Sequence, residues 1–172
     1  MTSPYHNYAI TSVTKALNTL KAILQKAEAH AKEKNIALDD LFNARIYEDM
    51  KPLSFQIFAA TSNVEKLVFR AIHLEPPTRE QTDKTFEDLY KRIEVTLGEL
   101  TKADVALLAA NEDKTFKAPL GPSEFEFKPE SYAVNFGLPN VYFHVVTAYN
   151  ILRKEGVPLG KMDYLKNFLE LW

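Results

Sequence analysis

A chain of 172 residues, 46% hydrophobic and 26% charged, is long enough for one sizeable core and too apolar for disorder. Its 21 lysines and arginines against 23 acids leave a net charge of −2, no electrostatic ground for a nucleic-acid partner or an anionic membrane. The absence of cysteine removes disulfides, thiolate metal sites and a cysteine nucleophile, and no apolar run approaches the length of a membrane span.

Met1–Tyr5 carries no basic region followed by an apolar run, so a secretory signal is not expected and one cytoplasmic domain over residues 1–172 is. Ser3-Pro4 makes a good helix start. Ile10, Val13, Leu17, Leu20, Leu24 and Ala27 then predict a first long helix ending between His30 and Asn35. Residues 36–50 read as a short helix and an irregular connector. Asp49 and Pro52 predict the start of a second long helix carrying Phe55, Phe58, Ala59, Ser62, Leu67, Val68 and Ala71 on its apolar face.

Thr78-Arg-Glu-Gln81 matches a capping box and predicts a third helix from Thr78 or Thr82 through Phe86, Leu89, Ile93, Leu97 and Leu100. Asp104 can cap a further short turn. The period then drops to two at 115–117 and 124–127, with Gly121-Pro122 between, the pattern of a β-hairpin. A fourth long helix over 131–154 buries Val134, Leu138, Val141, Val145, Ala148 and Leu152, with Gly137 and Pro139 weakening or kinking its first half. Gly156 fits the position after its end, and Asp163 can cap a last short helix bearing Leu165, Phe168, Leu169 and Trp172. Four such stripes bury one another best as an all-α four-helix bundle, in up-down or crossover order.

Most chemical signatures are missing. No Gly-x-Gly pair supports a dinucleotide fingerprint or a phosphate loop, and no Gly-x-Ser-x-Gly elbow occurs. The histidines, at 6, 30, 73 and 144, never stand three or four apart, and no Glu-x-x-His exists for a di-iron site. His144 lies midway along the fourth helix at the edge of its apolar stripe, with Asn140 one turn away. It reads either as a pocket acid or base or as a boundary residue satisfied by a neighbour, and spacing by itself favours the second. Asn43, Arg45 and Asp49 cluster in the first connector with Gln56 following, as a pocket mouth or as loop staples. Tyr149 and Arg153 are one turn apart, where packing and snorkelling suffice. The Phe116, Phe125 and Phe127 set is hairpin packing or a lid.

Lys26-Ala-Glu-Ala-His30, Asn43-Ala-Arg45, Asp49-Met-x-Pro52-Leu and Gln56 stand with Phe143-His-Val-Val-Thr-Ala-Tyr-Asn-Ile-Leu-Arg153 and Gly156-Val-Pro-Leu-Gly-Lys161-x-Asp163-Tyr. Together they resemble an uncharacterised domain family of bacteria and fungi in the DinB/YfiT-like four-helix superfamily. The resemblance covers nearly the whole chain and implies the DinB/YfiT-like bundle. Many such proteins hold a divalent metal through one histidine on the second helix and a His-x₃-His pair on the fourth, and several are thiol transferases or hydrolases. Here His144 resembles the first of that pair, but Ala148 stands at its partner position and Gln56 at the second-helix position. No metal or other cofactor is therefore expected.

Three functions compete. The favoured one is a metal-independent small-molecule binder or enzyme with a polar pocket between the second and fourth long helices. His144 as acid or base and Tyr149 would act there, and Asn43, Arg45, Asp49, Gln56, Asn140 and Arg153 would bind the substrate. The second is a degenerate metal-dependent transferase or hydrolase that completes its ligands from Asp49, Gln56 or water. The third is a non-catalytic scaffold that dimerises or supports a partner, its polar residues serving as loop staples. Related bundles often pair, so a homodimer is an expectation of the resemblance alone.

Overall fold

The computed structural model describes residues 3–169. Its four long helices are α1 (Thr11–Lys34), α3 (Leu53–Ala71), α4 (Phe86–Leu100) and α7 (Leu138–Lys154). The short α2 (Leu38–Asn43) joins α1 to α3, and α5 (Val105–Asn111) follows α4. Strands β1 (Phe116–Leu120) and β2 (Ser123–Phe127) form one antiparallel hairpin, with Phe116 opposite Phe127. The short α6 (Pro129–Tyr132) leads into α7, and α8 (Lys161–Leu165) closes the described chain. Trp172, expected on that last helix, lies outside the described residues.

Helix α3 packs most broadly on α7 and next on α4, and α1 packs on the same two, which leaves α1 and α3 diagonal. The chain thus takes a crossover rather than a simple up-down ring. Leu17, Leu20, Ile23 and Leu24 of α1 are fully buried against Leu53, Ile57 and Leu67 of α3, Leu89 and Ile93 of α4, and Val141 and Val145 of α7. Helix termini follow local chemistry. Asn35 takes the left-handed conformation after α1 (φ 54°), and Gly156 does so after α7 (φ 86°). The Val157 N–H then reaches the Leu152 carbonyl at 3.0 Å. Asp104 caps α5 through the Ala106 and Leu107 amides.

Several boundaries differ from the sequence expectation. Helix α3 starts at Leu53 with no side-chain cap, so Asp49 does not cap it. Residues 72–85 are not helical, and Thr85 is the cap of α4. Its hydroxyl accepts the Asp88 N–H (3.2 Å), while the Asp88 carboxylate accepts the Thr85 N–H (3.0 Å). Thr78-Arg-Glu-Gln81 offers the same pattern, but residues 78–84 hold no apolar side chain that could seat a turn on the core. At α8, Gly160 occupies the cap position and Asp163 sits inside the first turn, accepting the Gly160 N–H at 2.7 Å.

Val134 is 51% exposed rather than buried. A π-helical turn over Ala133–Gly137 inserts an extra residue, with the Leu138 N–H bonded to the Ala133 carbonyl. Val134 and Val141 therefore no longer share a face. The turn falls where Gly137 and Pro139 predicted a weakened helix, and Gly137 also allows close approach to α3. A Cβ there would stand 2.8 Å from Leu67 Cδ1.

Candidate functional site

Helix α3 exposes one strip that is not core. Phe55, Phe58 and Ser62, read from spacing as part of the buried face, are only half-buried and line a cleft of about 780 Å³. The remaining walls are Asn140 and His144 of α7, the 73–79 segment after α3, and the hairpin at Phe116, Lys117, Pro119 and Glu124. The volume lies within the range of small-molecule sites, roughly 300–1,000 Å³.

His144 is fixed by a short relay. Gln56 Nε2 donates to the Lys51 carbonyl (3.0 Å), which turns its Oε1 toward His144 Nδ1 at 2.8 Å. An amide oxygen only accepts, so Nδ1 carries the proton and the lone pair resides on Nε2. Burial holds the imidazole below its ordinary pKa, because desolvation disfavours the cation. His144 is thus a neutral imidazole near pH 7, and its Nε2 has no protein partner among the described residues. Phe55 and Phe143 meet the ring edge-on, with centroids at 6.2 and 5.3 Å.

Along the cleft, Asn63 Nδ2 donates to the Ala59 carbonyl (2.8 Å) and lies 3.4 Å from Asn140 Oδ1. Ser62 Oγ is buried and has no hydrogen-bond partner among the described residues. Lys66 and Arg70 continue the same strip, and His73 lines the cleft just beyond the end of the helix. Arg70 Nη1 donates to the Tyr132 hydroxyl (2.5 Å), with its guanidinium 5.1 Å from the Tyr132 ring centroid. Tyr132 is itself wedged between Phe116 and Phe127 of the hairpin. The Phe116–Phe127 pair therefore packs the hairpin onto α6, whereas Phe125 stays exposed.

The residues singled out in the sequence do not converge. Asn140 and His144 share the cleft, and Gln56 stands behind His144 as its partner. Asn43 and Arg45 line a separate shallow depression with Lys154 and Glu155. There Asn43 donates to the Asp39 carbonyl (2.9 Å) and Arg45 to that of Glu48 (3.4 Å), which are loop staples. Asp49 is exposed and lines neither. Arg153 donates to the Val157 carbonyl (3.3 Å), and Tyr149 packs on the core. Spacing assigned Ser62 to the buried face and gave no signal for Lys66, Arg70, His73 or Arg79 as cleft residues. Ser62, Lys66 and Arg70 recur at intervals of four, a helical strip visible in the chain.

The profile of the family described as a domain of unknown function (DUF1993) matches residues 5–165. The chain belongs to the DUF1993 family. It is also similar to a protein of known crystal structure, a DinB family member from Shewanella denitrificans. The two share 31% identity and a TM-score of 0.82, over 91% of this chain and 89% of the other. DUF1993 is thereby placed within the DinB-like superfamily. No curated protein matches the chain.

A divalent metal of the kind that superfamily implies does not fit the donors present in this DUF1993 chain. Gln56 Oε1 is occupied by His144 Nδ1, and Ala148 is fully buried and offers no donor. Among the described residues, no three His, Cys, Asp or Glu side chains come together. No helix among them is long and apolar enough to cross a membrane.

Proposed function

We propose that the cleft beside α3 and α7 binds a small organic molecule, with His144 Nε2 as the group that accepts its proton or hydrogen bond. The observation carrying this reading is the relay from the Lys51 carbonyl through Gln56 to His144 Nδ1. A boundary histidine needs one partner, whereas this one is oriented by a partner that is itself oriented. Phe55 and Phe58 supply an apolar wall, and Ser62 Oγ with the Asn63–Asn140 pair supplies polar groups to orient a ligand. The chemistry such a site supports is ligand binding, or proton abstraction by a neutral imidazole without a metal.

The test is a thermal-shift screen of untagged protein and His144→Ala against organic acids, amides, thiols and aromatic metabolites. A ligand of the cleft stabilises the wild type by roughly 2.7 kcal/mol at a hundred times its dissociation constant and loses most of that effect in His144→Ala. A ligand that stabilises both proteins equally would place binding elsewhere and overturn the reading.

A further inference from the structure

The cleft is not electrically neutral along its length. Phe55, Phe58 and Ser62 lead along α3 to Lys66 and Arg70, and His144 stands at the opposite end, level with Phe55 and Gln56. Two other cations on the walls are already committed to acids. Arg79 Nε lies 3.1 and 3.2 Å from the carboxylate oxygens of buried Glu65, and Lys117 Nζ lies 3.6 Å from Glu124.

Lys66 and Arg70 have no acidic partner among the described residues. Arg70 is held from behind by the Tyr132 hydroxyl and ring, so it is oriented before any ligand arrives. Glu75 is the one lining acid without an ion pair among the described residues, so these unpaired side chains still favour an anion. Beyond them His73 takes a left-handed backbone (φ 56°), and its ring meets Phe116 edge-on at 6.1 Å. Histidine is among the residues that tolerate that conformation, and here it turns the chain so that the cationic end abuts the hairpin.

Building on the ligand site proposed above, we infer that its ligand is an elongated organic anion, with a carboxylate or phosphate end held by Lys66 and Arg70. Gln56 and Lys66 are ten residues apart, about 15 Å of helix axis at 1.5 Å per residue. The ligand must span about that distance to touch both His144 and the cationic end. Its middle lies along the Phe58–Ser62 stretch. A compact anion such as inorganic phosphate reaches only one end and binds weakly.

Two graded probe series test this by calorimetry: straight-chain carboxylates from butanoate to hexadecanoate, and the matching alkyl phosphates. Affinity should rise with length and level off once the chain spans about 15 Å. Higher affinity in one series identifies the head group. Lys66→Glu should weaken the best probe by about tenfold or more, and added salt should weaken it as well. Lys66 is exposed and outside the core, so this variant keeps the fold, and Arg70→Gln provides a second reading from the same end.

Equal affinity of wild type and Lys66→Glu, or equal affinity for the neutral alcohols of matched length, overturns the anionic end. If the screened ligands of the cleft are neutral and depend on His144 alone, the ligand site stands and this inference fails. If no probe or screened ligand depends on either residue, both fail.

Discussion

At the scale of single residues, His144 contributes to the loss of stability on the acid side of neutrality. Its folded-state pKa lies below the ordinary value of about 6.5 because burial disfavours the imidazolium. In that arrangement the unfolded chain binds the proton more readily than the folded one. Its contribution is fully present above pH of about 6.5 and is lost as pH falls from there through the lower folded-state pKa. Urea unfolding at a series of pH values should show this loss in wild type and a smaller one in His144→Gln. Parallel profiles for the two would remove His144 as the source. The sequence placed this histidine correctly on the fourth helix beside Asn140, but it could not reveal its partner. Gln56 is 88 positions away, and only the packing of α3 on α7 brings the two together.

At the scale of elements, local rules located most helices and failed where two signals competed. The cap pattern at Thr78 has no apolar turn behind it, and Phe86 and Leu89, which seat the first turn, put the cap at Thr85 rather than at the expected Thr78 or Thr82. Thr85→Ala should therefore lower stability by about 1 kcal/mol in urea unfolding. Thr78→Ala should leave it unchanged within about 0.5 kcal/mol. The α3–α7 contact gives a second prediction. An alanine at Gly137 gains helix propensity of up to about 1 kcal/mol. It also forces its methyl onto fully buried Leu67, 2.8 Å away, where overpacking costs about 1–3 kcal/mol. Gly137→Ala should be destabilising on balance, and Gly137→Ala with Leu67→Ala should relieve the clash while adding a cavity. An additive double mutant would contradict the contact. Amphipathic spacing could not distinguish core from cleft on α3, because a half-buried wall of Phe55 and Phe58 has the same period as a buried face.

At the scale of the molecule, the segment over 72–85 supplies a wall of the cleft that the four helices alone do not provide. Its residues form no helix or strand, and 73–79 close one side of the cleft. Arg79 pins the segment by joining Glu65 of α3, whose side chain is 3% exposed, to Glu99 of α4 at 3.7 Å. Removing the arginine leaves a carboxylate buried without its cation. Such a loss costs about 3–5 kcal/mol when both partners are deep, and less here because Arg79 is one-third exposed. Arg79→Ala should thus destabilise the protein by about 2 kcal/mol, and Glu65→Gln with Arg79→Ala should recover much of that loss. Limited proteolysis should cut the single variant within 72–85 faster than wild type. The bundle itself was legible in four apolar stripes. The wall was not, since Glu65 and Arg79 carry no pattern that marks them as partners.

The most direct measurement is nitrogen-15 NMR of the histidine rings across pH, with His144 assigned by its disappearance in His144→Ala. The ring should be neutral and protonated on Nδ1 with a midpoint below about 6.5, and Gln56→Leu should lose the tautomer preference. A ring protonated on Nε2, or a midpoint at or above the ordinary value, would contradict the relay and with it the proposed base.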